Sequence, residues 1–207
     1  MSAGHDHCHA PVFTGENPAY RRALWAVIAI NGVMFFVELG AGIKAGSMAL
    51  QADALDFLGD TVTYALSLFV ITKPPAWRAN AALFKGLSLA VLGCWVLGAT
   101  IWHVFITGVP EALVMGTVGV MALVANMASV LLLLRFREGD ANVRSVWLCS
   151  RNDAIGNIAV VAAASGVFAT GTAWPDLLVA GIMASLFLYS SMRIIRQAIG
   201  ERAALAA

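Results

Sequence analysis

The chain contains 207 residues, of which 60% are hydrophobic and 12% are charged, and its mean hydropathy is +0.80. This apolar fraction exceeds that of soluble domains, so the composition predicts an integral membrane protein and excludes a soluble globular domain. The formal net charge of +1 says nothing about partners, and we expect no interaction with nucleic acid. The three cysteines, Cys8, Cys94 and Cys149, are scattered and odd in number, which argues against a disulfide framework.

The first 19 residues form a polar stretch that we predict to be a flexible cytoplasmic tail. Three of the four histidines lie in this tail, and with one cysteine they form the cluster His5, His7, Cys8 and His9. Imidazole and thiolate groups bind Zn, Cu and Ni ions, so the cluster is a candidate accessory metal-binding site. The alternative is a tail without a role. In either case the cluster lies outside the membrane and does not line a transport path.

Six apolar segments follow the tail, and each exceeds the ~20 residues that a helix needs to cross the hydrocarbon core. They cover residues 22–44, 47–72, 79–107, 111–134, 143–170 and 175–198. The predicted fold is therefore all-α: a polytopic membrane protein in which a six-transmembrane-helix bundle occupies residues 20–200. We expect only a short C-terminal tail, residues 201–207, to follow this bundle, and no further soluble domain.

The lysine and arginine positions predict how the bundle lies in the membrane. Basic residues flank one set of segment ends, whereas the opposite set holds only Lys44. The first set comprises Arg21, Arg22, Lys73, Arg78, Lys85, Arg135, Arg137, Arg144, Arg193, Arg196 and Arg202. Because cytoplasmic loops carry an excess of Lys and Arg, this asymmetry predicts that both termini are cytoplasmic.

The second segment contains three carboxylates in the stretch QADALDFLGD, residues 51–60. Asp53, Asp56 and Asp60 are spaced i, i+3, i+7, so a helix presents all three on one face. An Asp at the bilayer centre costs at least about 2.5 kcal/mol on insertion scales, which favours a functional role. Carboxylates paired in a low-dielectric site hold a divalent cation or protons. The alternative is that each Asp only hydrogen-bonds a neighbouring helix.

The fifth segment has a matching polar face in WLCSRNDAIGN, residues 147–157. Cys149, Asp153 and Asn157 follow each other at i, i+4 and share one helix face. At ~1.5 Å of rise per residue, Asp56 and Asp60 lie roughly 14–20 Å from the outer end, and Cys149 and Asp153 roughly 9–15 Å from the inner end. In a ~30 Å core both pairs fall near the midplane. Together they offer four ligands, a tetrahedral set suited to Zn²⁺ or a similar ion.

These motifs resemble those of the cation diffusion facilitator family of divalent metal transporters, and the resemblance covers about residues 20–200. Its specific part is GSMALQADALDFLGD, residues 46–60. Weaker matches in the other segments are Asn31 and Glu38, Gly119 and Asn126, RNDAIGN at 151–157, and Trp174-Pro175-Asp176. The chain looks like a short form without the cytoplasmic metal-binding domain that many members carry after helix six.

In this family two pairs of ligands, spaced i, i+4 on helices two and five, bind the ion. The resemblance therefore implies that Asp56, Asp60, Cys149 and Asp153 are the metal ligands. Members often have histidine at the positions of Asp56 and Cys149, and a thiolate favours softer ions such as Zn²⁺, Cd²⁺ or Co²⁺. The alternative is that Cys149 packs as a small residue and Asn157 completes the site. Further residues that could support or replace these ligands are Asp53, Glu38, Asn31 and Asn126.

We therefore expect a secondary transporter, and not an enzyme, that exports Zn²⁺ or similar ions from the cytoplasm by proton antiport. No cofactor is expected, since the metal is the transported substrate. The expected partners are the lipid bilayer, metal ions, protons and a second copy of the chain bound through membrane helices, in a bacterial inner membrane. The alternatives are an intramembrane metal sensor or a metalloenzyme without transport, although the sequence has no HExxH-type motif.

Three further residues within the segments are expected to lie away from the site. Arg151 is two residues from both Cys149 and Asp153, so it should point off their shared face. His103 lies near the outer end of the third segment and is expected at the membrane interface. Cys94 is expected to pack in the core.

Overall fold

The structure is a computed structural model that describes residues 17–70, 75–106, 108–136 and 141–206. Within these ranges the chain forms six long helices and no strand, as the sequence predicts. The helices are α1 (Pro18–Ala45), α2 (Met48–Val70), α3 (Pro75–Ile106), α4 (Ala112–Leu133), α5 (Ala141–Thr170) and α6 (Trp174–Ala206), with a 3-10 turn at Leu134–Phe136. The cluster His5, His7, Cys8 and His9 lies outside the described residues.

Five of the helices contain an apolar stretch long enough to cross a membrane. These stretches are Pro18–Ala45, Asn80–Phe105, Ala112–Phe136, Asp153–Thr170 and Trp174–Gly200. Helix α2 is the exception because every 18-residue window of it contains all three aspartates. Its 23 residues still extend about 34 Å at ~1.5 Å per residue, which is enough for a ~30 Å core. The predicted six-helix membrane fold is confirmed, and the cytoplasmic position of the termini stays a prediction.

Local signals define the hairpin between α1 and α2, where the acidic helix begins. The Asn17 side chain accepts a hydrogen bond from the Ala19 N–H at 2.8 Å, which caps the start of α1. At the other end Gly46 adopts a left-handed φ of 67°, and its N–H bonds the carbonyls of Gly42 and Ile43. The chain reverses within Gly46 and Ser47, so α2 runs back alongside α1.

The six helices pack in two groups. Helix α1 packs on α2 and α4, and α4 packs on α5, whereas α3 packs mainly along α6. Glycines allow the close approach of α3 to α6: a Cβ added at Gly86 would lie 2.7 Å from Ile195 Cγ1, and one at Gly93 would lie 3.1 Å from the Leu188 side chain. Small residues at such contacts are typical of membrane helices. The α3–α6 pair also touches α2, which brings it close to the acidic helix.

Two apolar clusters enclose the middle of the bundle. The first lies around the start of α1 and the end of α2, and includes Tyr20, Leu24, Val27, Tyr64, Leu133 and Phe136. The second lies around the start of α2, and includes Leu50, Val96, Met115, Val160 and Ala184. The aspartates of α2 fall between the two clusters along the helix. The carboxylates are therefore held in the centre of a bundle that is apolar above and below them.

The outer surface is apolar, with large exposed side chains such as Phe36 (72%), Phe105 (79%) and Leu113 (72%), as expected where lipid covers the helices. Cys94 is exposed on this surface, so the prediction that it packs in the core is wrong. The reason is helical geometry, because the buried face of α3 passes through Gly93 and Val96 and leaves Cys94 to one side.

The last helix runs further than the sequence suggests. It continues to Ala206, through the residues expected as a short C-terminal tail, instead of ending near residue 198. Residues 199–206 contain no proline and are mostly strong helix formers, so nothing in them stops the helix.

Candidate metal centre

Three carboxylates from two helices meet in the middle of the bundle. The Asp153 side chain of α5 lies within hydrogen-bonding range of both Asp56 and Asp60 of α2. The two α2 residues are one turn apart on the same face, and all three side chains are partly exposed. The structure thus brings together the two helix faces that the sequence predicts to meet near the midplane. We refer to Asp56, Asp60 and Asp153 as the carboxylate cluster.

Cys149 occupies the position one turn before Asp153 in α5, but its side chain lies outside the described part of the structure. Among the described residues, no group of three or more His, Cys, Asp or Glu side chains has a geometry that could hold a metal ion. The carboxylate cluster is thus a set of groups in mutual range, and the role of its members as metal ligands stays a prediction.

The carboxylate cluster has a tyrosine neighbour that sequence reasoning missed. Tyr64 is 1% exposed, and its hydroxyl lies within hydrogen-bonding range of Asp60 and 3.3 Å from the Ser150 Oγ of α5. It therefore links α2 to α5 one turn beyond the cluster. The spacing could have indicated it, since Tyr64 follows Asp60 at i+4 on the same helix face.

The second neighbour of the carboxylate cluster is a lysine, which sequence reasoning placed elsewhere. Lys85 was expected beside the loop between the second and third segments, but it lies about three turns inside α3 and is half-buried. Its ammonium is within electrostatic range of both Asp56 and Asp60. The helix of the third segment begins at Pro75 rather than near residue 79, so Lys85 lies well within α3 and not beside the loop.

A second polar group lies one turn nearer the start of α2, around Asp53, which is 2% exposed. Assigned by its hydrogen bonds, the Asn157 amide nitrogen donates to both carboxylate oxygens of Asp53, at 2.6 and 3.0 Å. The Asn157 oxygen accepts from Asn126 Nδ2 at 2.9 Å. Both ends of the Asn157 side chain are therefore engaged, with Asp53 on α2 and with Asn126 on α4.

Glu38 of α1 completes this second group. It is 0% exposed, and its carboxyl lies within hydrogen-bonding range of Asp53, with Asp56 acting on it only at longer range. The four residues Glu38, Asp53, Asn126 and Asn157 thus form one contiguous group from four helices, which we call the acid–amide group. All four are buried, in contrast to the partly exposed carboxylate cluster.

Asn31, the remaining polar residue of α1, lies nearer to the carboxylate cluster. It is 1% exposed, and its side-chain oxygen has no hydrogen-bond donor among the described residues. The adjacent Gly32 faces α2 at Thr61, since a Cβ added there would lie 3.8 Å from Thr61 Cγ2. Asn31 therefore lies close to the level of Thr61, the residue after Asp60, and its role in supporting a bound cation stays a prediction.

The start of α2 is capped by a carboxylate from another helix. Asp176 of α6 accepts hydrogen bonds from Ser47 Oγ at 2.6 Å, from the Met48 N–H at 2.8 Å and from the Ala49 N–H at 3.0 Å. Ser47 Oγ in turn accepts from the Leu50 N–H at 3.1 Å. A carboxylate at a helix N-terminus satisfies its free N–H groups and complements its dipole. Asp176 therefore ties the acidic helix to α6.

Two charged or titratable residues lie away from the carboxylate cluster. Arg151 is exposed, whereas Ser150, Ala154 and Asn157 of the same helix are buried, so Arg151 is on the other side of α5, as expected. His103 is half-buried in the last turn of α3 and lies within electrostatic range of Asp176.

The charges define what the carboxylate cluster can do. Three carboxylates lie together, and among the described residues Lys85 is the cation that acts on the α2 pair. Like charges in a low-dielectric site repel unless a cation or protons neutralise them. Carboxylate oxygens bind divalent cations directly. The cluster can therefore take up a divalent cation or protons, and each excludes the other.

A helical bundle that crosses the membrane and holds such a carboxylate cluster at its centre defines an integral membrane protein with a candidate cation site in its interior. Comparison with known proteins then identifies the family. Residues 24–201 match the Cation efflux transmembrane domain, and the chain belongs to this family.

Curated relatives agree with the family. The metal cation efflux system protein CzcD of Cupriavidus metallidurans is 30% identical over 192 residues, which are 87% of this chain and 58% of the relative. The zinc transporter ZitB of Escherichia coli is 28% identical over 95% of this chain and 67% of the relative. A cadmium, cobalt and zinc/H(+)-K(+) antiporter of Bacillus velezensis is 25% identical over 95% of this chain and 65% of the relative.

These relatives are named as efflux proteins and transporters rather than as enzymes. The chain spans about six-tenths of the length of CzcD. The apolar helices and the bacterial relatives confirm the expected location, a multi-pass protein of the bacterial inner membrane.

Proposed function

We propose that this protein exports divalent transition-metal cations from the cytoplasm, with Zn²⁺ as the first candidate and Cd²⁺ or Co²⁺ as further ones. The observation that carries the proposal is the meeting of Asp56 and Asp60 with Asp153 inside a membrane-spanning bundle. The family and the relatives named for zinc, cadmium and cobalt support the same class of substrate.

The exported ion exchanges for protons at the same groups. A carboxylate or thiol that binds a metal must be deprotonated, so metal binding and protonation compete. The position of the carboxylate cluster supports this role, because carboxylates from two helices lie together inside a membrane-spanning bundle. If the cluster is exposed alternately to the two sides of the membrane, the competition becomes an antiport of metal against protons.

Cys149 supplies the fourth ligand in this proposal, because it lies one turn before Asp153 in the same helix. Two carboxylates from α2 with one carboxylate and one thiolate from α5 make the tetrahedral set that Zn²⁺ prefers. The tail cluster of His5, His7, Cys8 and His9 acts only as an accessory in metal capture. We further propose that two copies associate through their membrane helices.

Metal flux into proteoliposomes tests this function. Purified protein is reconstituted, and uptake of Zn²⁺, Cd²⁺ and Co²⁺ is followed with a metal-sensitive dye, with and without an imposed pH gradient. We expect uptake that the pH gradient accelerates. Tight metal binding without any uptake would support the sensor alternative and contradict the proposal. Uptake at the same rate with and without the pH gradient would contradict the proton exchange but would still support metal transport.

A further inference from the structure

The contact between Glu38 and Asp53 is unusual because neither group is an obvious donor. Both carboxyls are buried, and among the described residues neither oxygen of Glu38 has a hydrogen-bond donor. The group within hydrogen-bonding range is the Asp53 carboxyl, which accepts hydrogen bonds only, unless it is protonated. Two ionised carboxylates in contact, away from water, repel strongly. One proton between them turns this repulsion into a hydrogen bond.

The neighbours of Asp53 indicate which carboxyl holds that proton. The Asn157 amide nitrogen donates to both Asp53 oxygens, an arrangement that stabilises an ionised carboxylate. The proton therefore belongs to Glu38, whose O–H donates to Asp53. The Asn126 amide holds the Asn157 oxygen and so fixes the direction in which Asn157 donates.

Among the described residues, the charged groups that act on Glu38 are carboxylates, and none of them is a cation that could replace the proton. On α2 the titratable groups that act on Glu38 are Asp53 and, at longer range, Asp56. Helix α4 contains no titratable residue between Ala112 and Leu133, and α5 presents the neutral Asn157. Lys85 acts on Asp56 and Asp60 of the carboxylate cluster. The carboxylate cluster thus has a lysine acting on it, whereas only carboxylates act on Glu38 of the acid–amide group. One turn of α2 separates the two groups.

We propose that Glu38 and Asp53 form a second site, which binds a proton and releases it when a divalent cation occupies the carboxylate cluster. The coupling is electrostatic. A divalent charge beside Asp56 lies about one turn from Asp53, so it favours the state in which both Glu38 and Asp53 are ionised. The proton leaves Glu38 as H⁺ and returns when the cation departs. This site rests on the proposed metal–proton exchange and adds a proton that no metal ligand carries.

Proton release on metal binding tests the second site. The full chain in detergent and weak buffer is titrated with Zn²⁺, and both bound metal and released protons are counted. We expect wild-type protein to release protons and Glu38→Gln to release about one proton fewer per bound metal, with the same metal stoichiometry. Glu38→Asp keeps an acid at this position and should restore the release. Ser129→Ala is the matched control, because this buried hydroxyl bonds only its own helix, to Ala125 O at 3.1 Å.

Each result separates the second site from the proposed function. Equal proton release by Glu38→Gln and wild type would overturn the second site and leave metal–proton exchange intact. Loss of a metal equivalent in Glu38→Gln would also overturn it, since Glu38 would then be a ligand. Absence of release in the wild type would overturn both. If Glu38→Gln does not fold, infrared spectra of the wild type decide: a buried carboxylic-acid band that vanishes on Zn²⁺ addition supports the site, and a band that persists overturns it.

Discussion

Asp53 and Asp56 lie on one helix face, yet their surroundings differ. Asp53 is enclosed by Glu38 and the Asn157 amide, whereas Asp56 is partly exposed and close to Asp153. Sequence spacing predicted the shared face and the meeting with α5, because both depend only on helix geometry and depth. It could not divide the aspartates into two groups, since that depends on where α1 and α4 pack against α2.

Tyr64 and Lys85 also lie beside the carboxylate cluster without having been predicted there from the sequence. Each lies beside the α2 aspartates: Tyr64 follows Asp60 by one turn on the same helix, whereas Lys85 is placed there by the packing of α3. A tyrosine at i+4 from an aspartate is a readable signal, whereas a lysine near a predicted loop normally indicates the cytoplasmic side.

We predict that Cys149→Ser changes metal selectivity. Replacing a thiolate by a harder oxygen donor weakens soft ions most, so the ratio of Cd²⁺ to Mn²⁺ transport should fall about tenfold, the effect of ~1.4 kcal/mol. Cys149→His should restore Zn²⁺ transport, because imidazole is a good zinc ligand. The measurement is flux of Zn²⁺, Cd²⁺, Co²⁺ and Mn²⁺ in proteoliposomes.

Cys94→Ser is the matched control for this change, because Cys94 is exposed on α3 and its replacement should leave selectivity unaltered. An unchanged selectivity profile in Cys149→Ser would contradict the assignment of the thiol as a metal ligand. The fourth ligand would then have to come from another residue.

At the scale of whole helices, the described bounds follow the predicted segments closely where a strong signal ends the helix. Gly46 stops α1 with its left-handed φ, and Gly171, with a φ of 63°, follows α5. The helix α6 runs beyond the predicted apolar segment to Ala206, since residues 199–206 contain no proline and Gly200 alone among them disfavours a helix. Sequence reasoning did not identify the cap on α2, because Asp176 is more than 120 residues away in sequence.

We predict that the cap on α2 is a major stabilising contact. Asp176→Asn keeps the shape but removes the charge and replaces an accepting oxygen by an amide nitrogen. This should lower the free energy of unfolding by about 1–3 kcal/mol, the range for a buried charged hydrogen bond. Thermal unfolding in detergent measures the effect. Ser185→Ala is the control, since its exposed hydroxyl bonds only Gly181 O of its own helix. Equal melting temperatures of Asp176→Asn and Ser185→Ala would contradict the role of the cap.

A pair of glycines in α3 tests the contact with α6. Gly86→Ala would place a Cβ 2.7 Å from Ile195 Cγ1, so we expect a loss of about 1–3 kcal/mol from overpacking. Gly98→Ala has nothing within 4 Å of its Cβ and should be neutral or stabilising, because alanine is the better helix former. Thermal unfolding of both variants in detergent is the measurement, and equal effects would show that α3 does not depend on this close approach.

At the scale of the whole molecule, the bundle holds a fully buried polar group beside a half-buried one. The acid–amide group is buried, whereas the carboxylate cluster one turn further along α2 is partly exposed. An apolar cluster lies beyond each end of this polar layer. This arrangement suits a site that opens to one side of the membrane at a time, and it makes the orientation of the bundle decisive for function.

We predict that the turn between α5 and α6 faces the outside, because the Lys/Arg asymmetry predicts cytoplasmic termini. In a background without the three native cysteines, Thr172→Cys should react with an impermeant maleimide in intact cells, since Thr172 is exposed. Ala203→Cys near the end of α6 is the control and should react only after permeabilisation. The opposite labelling pattern would invert the orientation and turn the proposed export into import.

The measurement that tests the central claim most directly is coupled Zn²⁺ and proton flux in proteoliposomes that contain single aspartate variants. Asp56→Asn, Asp60→Asn and Asp153→Asn should each lower both fluxes at least tenfold, since losing ~1.4 kcal/mol of ion binding already has that effect. Ser129→Ala should match the wild type, because its buried hydroxyl bonds only its own helix. Zn²⁺ flux at the wild-type rate in Asp60→Asn or Asp153→Asn would contradict the assignment of the transport site to α2 and α5.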